Sequence, residues 1–517
     1  MPVDERAVVI GAGMGGLAAA IRLAAAGAQV TVVEMAEAPG GKARALASAA
    51  GPVDAGPTVL TMRDRVDELF ALCGTRTEDQ LDLVALPRLA RHFWPDGSRL
   101  DLFPDPAANA EAIAALAGAR EADAFLRFDA LTARLWAAFR GPVIDAPRPD
   151  LRRIVAATLR APALWPALRP GATVDSMLRR HFRDPRLVQL FGRYSTYVGG
   201  RPDCTPAVLS LIWQAEQAGV WALRRGLHGL AQALARAAEA QGVRFLYATR
   251  ARRIVRQQGR VAAVELEGGA SLPCTACVFN GDPGALRDGL LGDAARAAMS
   301  LRARPAPSLS AWVWAFAASP GAADLAHHNV FFTADPAREF GPIGQGRMPE
   351  AATLYVCAQD RELGPPPPAV ERFEIILNGP AGHQPYASEE AQCRARTFPP
   401  LSAMGLTFAP PPDPAALTTP AGLSRLFPGS QGAIYGASPE GALAAFRRPL
   451  ARTALPGLYL AGGGAHPGAG VPMALASGRH AAQAWAEDRT SASRSAPTAM
   501  PGGMSTPSPT TGRARSR

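Results

Sequence analysis

The chain has 517 residues, 48% of them hydrophobic and 19% charged, enough to bury a large core and to divide into two or three domains. No run of about 18 uncharged apolar residues reads as a membrane-spanning helix, and the N-terminus lacks the basic region, apolar run and cleavage site of a signal peptide. The net charge is +10, but no basic run is interleaved with aromatics, which argues against a nucleic-acid partner.

Six cysteines spread over so long a chain point away from a disulfide framework and toward a reducing, cytoplasmic setting. The basic surplus fits an arginine-favouring genome, and it also fits a protein that visits an anionic membrane.

In chain order, Ala7–Ile10 reads as a short buried strand, Gly11–Gly16 as a turn, and the Ala/Leu-rich stretch behind it as a helix ending near Gly27, a natural terminator. Gln29–Glu34, mostly β-branched, reads as a second strand and completes a β-α-β unit. Leu227, Leu230, Leu234 and Ala238 recur at helical spacing, and that helix stops at Gly242. A strand over Val243–Tyr247 follows, and apolar runs around Ile254 and Val261 flank Gln258-Gly259 as a hairpin. Near the end, Gly457–Ala461 reads as a strand entering Gly462–Gly464, with a helix from Met473 to Trp485. Proline-containing loops lie at 142–149 and 365–368.

Nucleotide-fold signals thus appear at the start, middle and end. The expectation is an α/β protein with a discontinuous Rossmann-like domain made of residues 1–75, 220–300 and 450–487. Residues 76–219 and 301–449 then form an inserted α+β domain that binds substrate and faces a membrane. Residues 488–517, rich in Ser, Thr, Pro, Gly and Arg, read as a disordered tail.

Gly11-Ala12-Gly13-Met14-Gly15-Gly16 matches G-x-G-x-x-G. Alone the pattern is weak; here it follows a strand, opens a helix and precedes Glu34 at the end of the next strand. Gly11 permits the tight turn, Gly13 lets backbone approach a pyrophosphate, and Gly16 lets helix pack on strand. The helix N-terminus offers free N–H groups to the phosphates, and Glu34 can accept from ribose hydroxyls. Gly40-Gly41-Lys42-Ala43-Arg44 makes a second close backbone approach, with Lys42 and Arg44 near phosphate or flavin, and Val53–Thr58 follows.

This order resembles the flavoproteins of the amine oxidase and carotenoid desaturase superfamily. The resemblance extends to Arg225–Leu230, to Tyr194–Gly200 and, most specifically, to His466-Pro467-Gly468-Ala469-Gly470-Val471-Pro472, which is similar to the C-terminal signature of bacterial-type phytoene desaturases. Within that family, Gly56–Arg63, Leu89–Trp94 and Ile212–Glu216 look closest to the 1-hydroxycarotenoid 3,4-desaturases, or methoxyneurosporene/hydroxyneurosporene dehydrogenases, of purple bacteria. The resemblance implies FAD held at Gly11, Ala12, Gly13, Gly15, Gly16 and Glu34, and at Gly41, Lys42, Arg44, Pro57 and Thr58. It adds Ala251, where a valine is usual, and Gly463, Gly464, Val471 and Met473.

The implied reaction is introduction of a C3–C4 double bond into an acyclic 1-hydroxycarotenoid such as hydroxyneurosporene. Hydride removal beside a polyene is natural for oxidised flavin, and the protein need only orient the chain and exclude water. With one convincing nucleotide motif, no NAD(P) site is expected, so electrons pass to oxygen or a quinone. A water-insoluble substrate implies peripheral association with the cytoplasmic face of an inner or photosynthetic membrane. A phytoene desaturase is the nearest alternative, and a prenyl-lipid escort protein of the same fold is one from another class. His466 is a candidate acid/base, though a structural role is favoured. Cys274 and Cys277 match C-x-x-C, but positions three apart along a strand face opposite ways, and no metal site is expected.

Overall fold

A computed structural model of the chain describes residues 5–299, 304–321, 323–382, 388–441 and 444–495. One sheet organises the cofactor side. β1 (Arg6–Ile10), α1 (Met14–Ala25) and β2 (Gln29–Val33) form the opening β-α-β unit, and α2 (Gly226–Ala240) leads into β3 (Arg244–Leu246). β4 (Ala276–Phe279) and β5 (Leu458–Leu460) complete the sheet, in spatial order β5-β4-β1-β2-β3. Every pairing is parallel. β1, β4 and β5 are buried nearly throughout and therefore read as continuous apolar runs without alternation, whereas the edge strand β3 is exposed to half-buried.

α1 lies on this sheet with Leu17, Ala18, Ala19, Ile21 and Leu23 fully buried. Each large apolar side chain buried there contributes about 1.5–3 kcal/mol. The C-terminal helix α3 (Val471–Ser495) crosses α1 closely at Gly478, where a Cβ would strike the Gly15 carbonyl oxygen and the Ala18 side chain.

The inserted part is built on an eight-stranded sheet whose long strands Ser310–Pro320 and Glu371–Gly379 pair antiparallel along most of their length. Leu354–Ala358 and His328–Phe331 continue it, and Ala90–Phe93 joins in the sole parallel pairing of this sheet among the described residues. A helical layer holding Ala119–Phe139 and Pro185–Gly192 encloses Phe125, Phe128, Phe191 and Trp213. The α/β class with an α+β insertion is as expected.

Two local expectations are corrected. The segment 142–149 is not purely a loop: Arg140–Asp145 forms a π-helical turn, tied down by an ion pair from Arg65 to Asp145. The chain after Asp488 does not lose structure at once. α3 continues to Ser495, held by Arg452 and the Tyr459 hydroxyl on Asp488, each at 2.9 Å, and by Arg489 over the Trp485 ring. The remainder of the expected tail, 496–517, lies outside the described residues.

Candidate functional site: a glycine cradle at the strand ends

Register explains how distant residues meet. Ile10 stands beside Val33 on one side and Phe279 on the other, and Phe279 stands beside Leu460. Four strands therefore end in a row and release Gly11, Glu34, Asn280 and Ala461 at one edge. In a doubly wound parallel sheet that edge is where ligands bind.

Gly11 turns with φ +99° and donates its N–H to the Val33 carbonyl at 2.8 Å. Gly13 caps α1 without any side-chain hydrogen bond, which leaves the first-turn N–H groups of that helix available to an anion. A Cβ on Gly16 would overlap the Gly11 carbonyl oxygen, and one on Gly13 would lie 2.8 Å from the Asn280 amide nitrogen. Glu34 is buried, with its two oxygens accepting from the N–H groups of Ala12 at 2.6 Å and Ala36 at 2.8 Å. Each oxygen keeps a further lone pair for a ribose hydroxyl.

The second glycine pair closes on the first. Gly13 and Gly40 form a parallel bridge, the Gly40 N–H donates to the Ala12 carbonyl at 2.9 Å, and a Cβ on Gly41 would sit 3.3 Å from the Gly13 Cα. The two basic residues that follow are engaged by protein groups. Lys42 donates from Nζ to the carbonyls of Ile434 at 2.6 Å and Ala433 at 3.2 Å, and burial pulls its pKa down. Arg44 donates to the Thr418 hydroxyl at 2.6 Å. Pro57 precedes Thr58, whose hydroxyl shares a 2.7 Å hydrogen bond with Tyr355.

The C-terminal glycines come to the same place. Gly462 takes φ +99°, its N–H donating to Ser477 Oγ at 2.7 Å. The Gly463 carbonyl accepts from Arg448 at 2.7 Å, and a Cβ on Gly464 would contact the Pro283 ring at 2.5 Å. Val471 and Met473 open α3 beside them. Ala251 begins the strand Ala251–Gln257, two residues beyond Thr249, whose N–H reaches the Glu34 carbonyl at 2.9 Å. It belongs to the edge of the cradle away from Gly462.

His466 is buried and donates from Nε2 to the Ala146 carbonyl at 2.9 Å. Burial lowers its pKa, opposed by the Ala146 and Val143 backbone carbonyls. Cys274 and Cys277 are both buried, and desolvation pushes their thiols up.

Several residues at this site have roles that the sequence alone did not assign. Asn280 donates to the Gly11 carbonyl at 3.2 Å, while its Oδ1 is buried without a partner. Arg448 spans from Gly463 to the carbonyls of Tyr435 and Ala437, and burial lowers its pKa to about 10. Asp54 accepts from the N–H groups of Leu227 at 2.5 Å and His228 at 3.2 Å at the start of α2, although burial raises its pKa. Sequence reading also missed the grouping of His327, His328 and Cys357, whose ligand atoms lie within 4.8 Å of one another. There His327 Nδ1 donates to the Arg361 carbonyl and His328 Nδ1 is bonded to Tyr355.

Residues 14–485 match the family described as flavin containing amine oxidoreductase. The hydroxyneurosporene desaturase of Rhodobacter capsulatus is 72% identical, covering 96% of this chain and 100% of that protein. Its namesake from Cereibacter sphaeroides is 59% identical, with 95% and 99% covered. Among solved structures, a putrescine oxidase bound to putrescine superposes with a TM-score of 0.58 at 13% identity, covering 93% of this chain and 99% of that one, which supports the fold.

Proposed function

As a member of the flavin containing amine oxidoreductase family, the chain is an FAD-dependent oxidoreductase, and we propose that it introduces the C3–C4 double bond of acyclic 1-hydroxycarotenoids such as hydroxyneurosporene. The observation that carries the substrate is the 72% identity, over nearly all of both chains, to a relative named for that reaction. The bare-backbone cradle of Gly11–Gly16, Gly40–Gly41 and Gly462–Gly464 suits a flavin dinucleotide, because it removes side chains wherever backbone must approach phosphate or ring.

Within this reading, the N-terminus of α1 binds the pyrophosphate and Glu34 holds the adenosine ribose. Lys42, Arg44, Pro57 and Thr58, with Gly463, Gly464, Val471 and Met473, flank the flavin half; Ala251 lies on the adenine side. FAD supplies the hydride acceptor. The chain's own groups position it and keep water away. His466, committed to the Ala146 carbonyl, holds a loop in place. Residues 1–75, 220–300 and 450–487 serve as the cofactor domain, and 76–219 with 301–449 as the substrate domain. Oxygen or a quinone takes the electrons.

No helix among the described residues is long and apolar enough to cross a membrane. In this reading substrate is taken up by peripheral contact with the cytoplasmic leaflet. Helix Leu151–Arg160 supports this, since none of its residues is buried. Leu151, Val155 and Leu159, exposed by 62%, 55% and 66%, form an i, i+4, i+8 stripe with Trp165 nearby. Arg152, Arg153 and Arg160 border that stripe. An apolar face framed by arginine is the pattern of an interfacial helix. Supplying the FAD-loaded protein with hydroxyneurosporene and with phytoene, and identifying the products, tests the substrate assignment.

A further inference from the structure

Arg193 opens the 3₁₀ segment Arg193–Val198. Its guanidinium is stacked over the rings of Tyr197 at 4.9 Å and Tyr194 at 5.6 Å. It is buried, and both Nε and Nη2 lack a hydrogen-bond partner. Glu216, in the helix Ile212–Gln217, is buried beside it. One of its oxygens accepts from the Tyr194 hydroxyl at 2.7 Å; the other, Oε2, is buried with no partner at hydrogen-bond distance, and the Tyr197 hydroxyl acts on both Glu216 and Arg193.

A guanidinium and a carboxyl group thus share an aromatic enclosure, and each keeps an atom with no partner at hydrogen-bond distance; burial pushes the pKa of the Glu216 carboxyl up, opposed by Arg193. Folded proteins seldom leave such atoms unmet, and a specific exception calls for an explanation.

Position indicates what meets them. Gly199, at φ +79°, closes the same segment, and a Cβ there would lie 2.7 Å from the Tyr435 ring. Tyr435 follows Ile434, the residue whose carbonyl holds Lys42 Nζ. Tyr355, hydrogen-bonded to Thr58, is among the groups acting electrostatically on Arg193. Tyr435 and Tyr355 therefore link the pair to residues placed next to the flavin.

We propose that Arg193 and Glu216 are the hydroxyl-recognition site for the substrate, gripping the alcohol at the end of the hydroxylated polyene and thereby selecting it over the unhydroxylated chain. This rests on the desaturase reading. An alcohol both accepts and donates, so it takes a hydrogen bond from Arg193 and gives one to Glu216 Oε2. A hydrocarbon end would leave both groups desolvated and unmet, the condition under which a binding site rejects an analogue most strongly.

The experiment compares kcat/KM for hydroxyneurosporene and neurosporene, the same polyene without the hydroxyl, in FAD-loaded wild type, Arg193→Met and Glu216→Gln. Flavin absorbance and melting temperature are recorded for each. Wild type is expected to favour the hydroxylated chain by on the order of 10² or more, and Arg193→Met to cut that ratio at least about tenfold. Arg193→Lys keeps the charge but loses the planar fork; should the methionine variant not fold, the same drop in ratio is expected from lysine. A folded, flavin-loaded variant at position 193 with an unchanged ratio overturns the site alone, as does a wild type indifferent to the hydroxyl. Turnover of neither polyene by wild type overturns the desaturase reading, and the site assignment with it.

Discussion

The Asn280 side-chain amide donates to the Gly11 carbonyl at 3.2 Å, joining positions 269 residues apart. It also fills the space that a Cβ on Gly13 or Gly15 would need, at 2.8 and 2.7 Å respectively. The glycine turn is thus shaped from behind by β4 as much as by its own backbone.

Gly13→Val is expected to yield largely colourless protein, with flavin absorbance lowered at least about tenfold, because the side chain meets Asn280 on one side and the pyrophosphate on the other. Adding Asn280→Ala relieves only the first clash, so the double variant should remain flavin-poor. Normal flavin content in either variant would contradict the cradle assignment.

Glu374 gives a pH prediction. It is fully buried with neither oxygen hydrogen-bonded, and burial raises its pKa well above 4.5, aided by Asp54 and opposed by Arg44. A carboxyl raised on folding favours the native state in its neutral form. That contribution is full below the unfolded value of 4.5 and is lost as pH rises toward the folded value. Glu374→Gln should therefore raise the melting temperature more at pH 8 than at pH 5, by the equivalent of about 1–3 kcal/mol at the higher pH. An equal shift at both values would show that Glu374 is already ionised at low pH or is compensated by Arg44.

The exposed stripe of Leu151, Val155 and Leu159 predicts membrane binding by two separable forces. Wild type should float with anionic liposomes at low salt and partly detach at high salt, as the arginine contribution of about 1 kcal/mol per residue is screened. Leu151→Glu combined with Leu159→Glu should abolish flotation at both salt levels while leaving flavin content unchanged. Flotation that persists in the double variant would place the docking surface elsewhere.

At the C-terminus, truncation after Ser495 should leave stability and turnover unchanged. Truncation after Trp485 removes Glu487 and Asp488, which Arg452 and Tyr459 hold. It should cost about 1–2 kcal/mol, chiefly through the Tyr459 hydroxyl, since the arginine pairs are half exposed. Equal melting temperatures for the two truncations would refute this.

The opening β-α-β unit was legible because it is contiguous: β1, the glycine turn, α1 and Glu34 follow one another, and one physical demand on backbone approach explains the spacing. α2, β3, the Gln258-Gly259 hairpin and β5 were legible for the same local reasons. Asn280, Asp54 and Arg448 were not, because each acts through a partner brought close only by strand register or loop packing. Arg193 lay at the edge of a stretch singled out by resemblance, yet its unpartnered nitrogens exist only in the folded enclosure. The end of α3 was missed because its Ser/Thr/Arg composition reads as unstructured, whereas Arg452 and Tyr459, far behind in the chain, anchor it.

The most direct test of the central claim is anaerobic mixing of the FAD-loaded protein with hydroxyneurosporene, followed by absorbance. Bleaching of the flavin band is expected together with a red-shifted polyene product bearing one additional double bond, with far slower bleaching by phytoene. Stable flavin colour with unchanged hydroxyneurosporene, or faster reduction by phytoene, would contradict it.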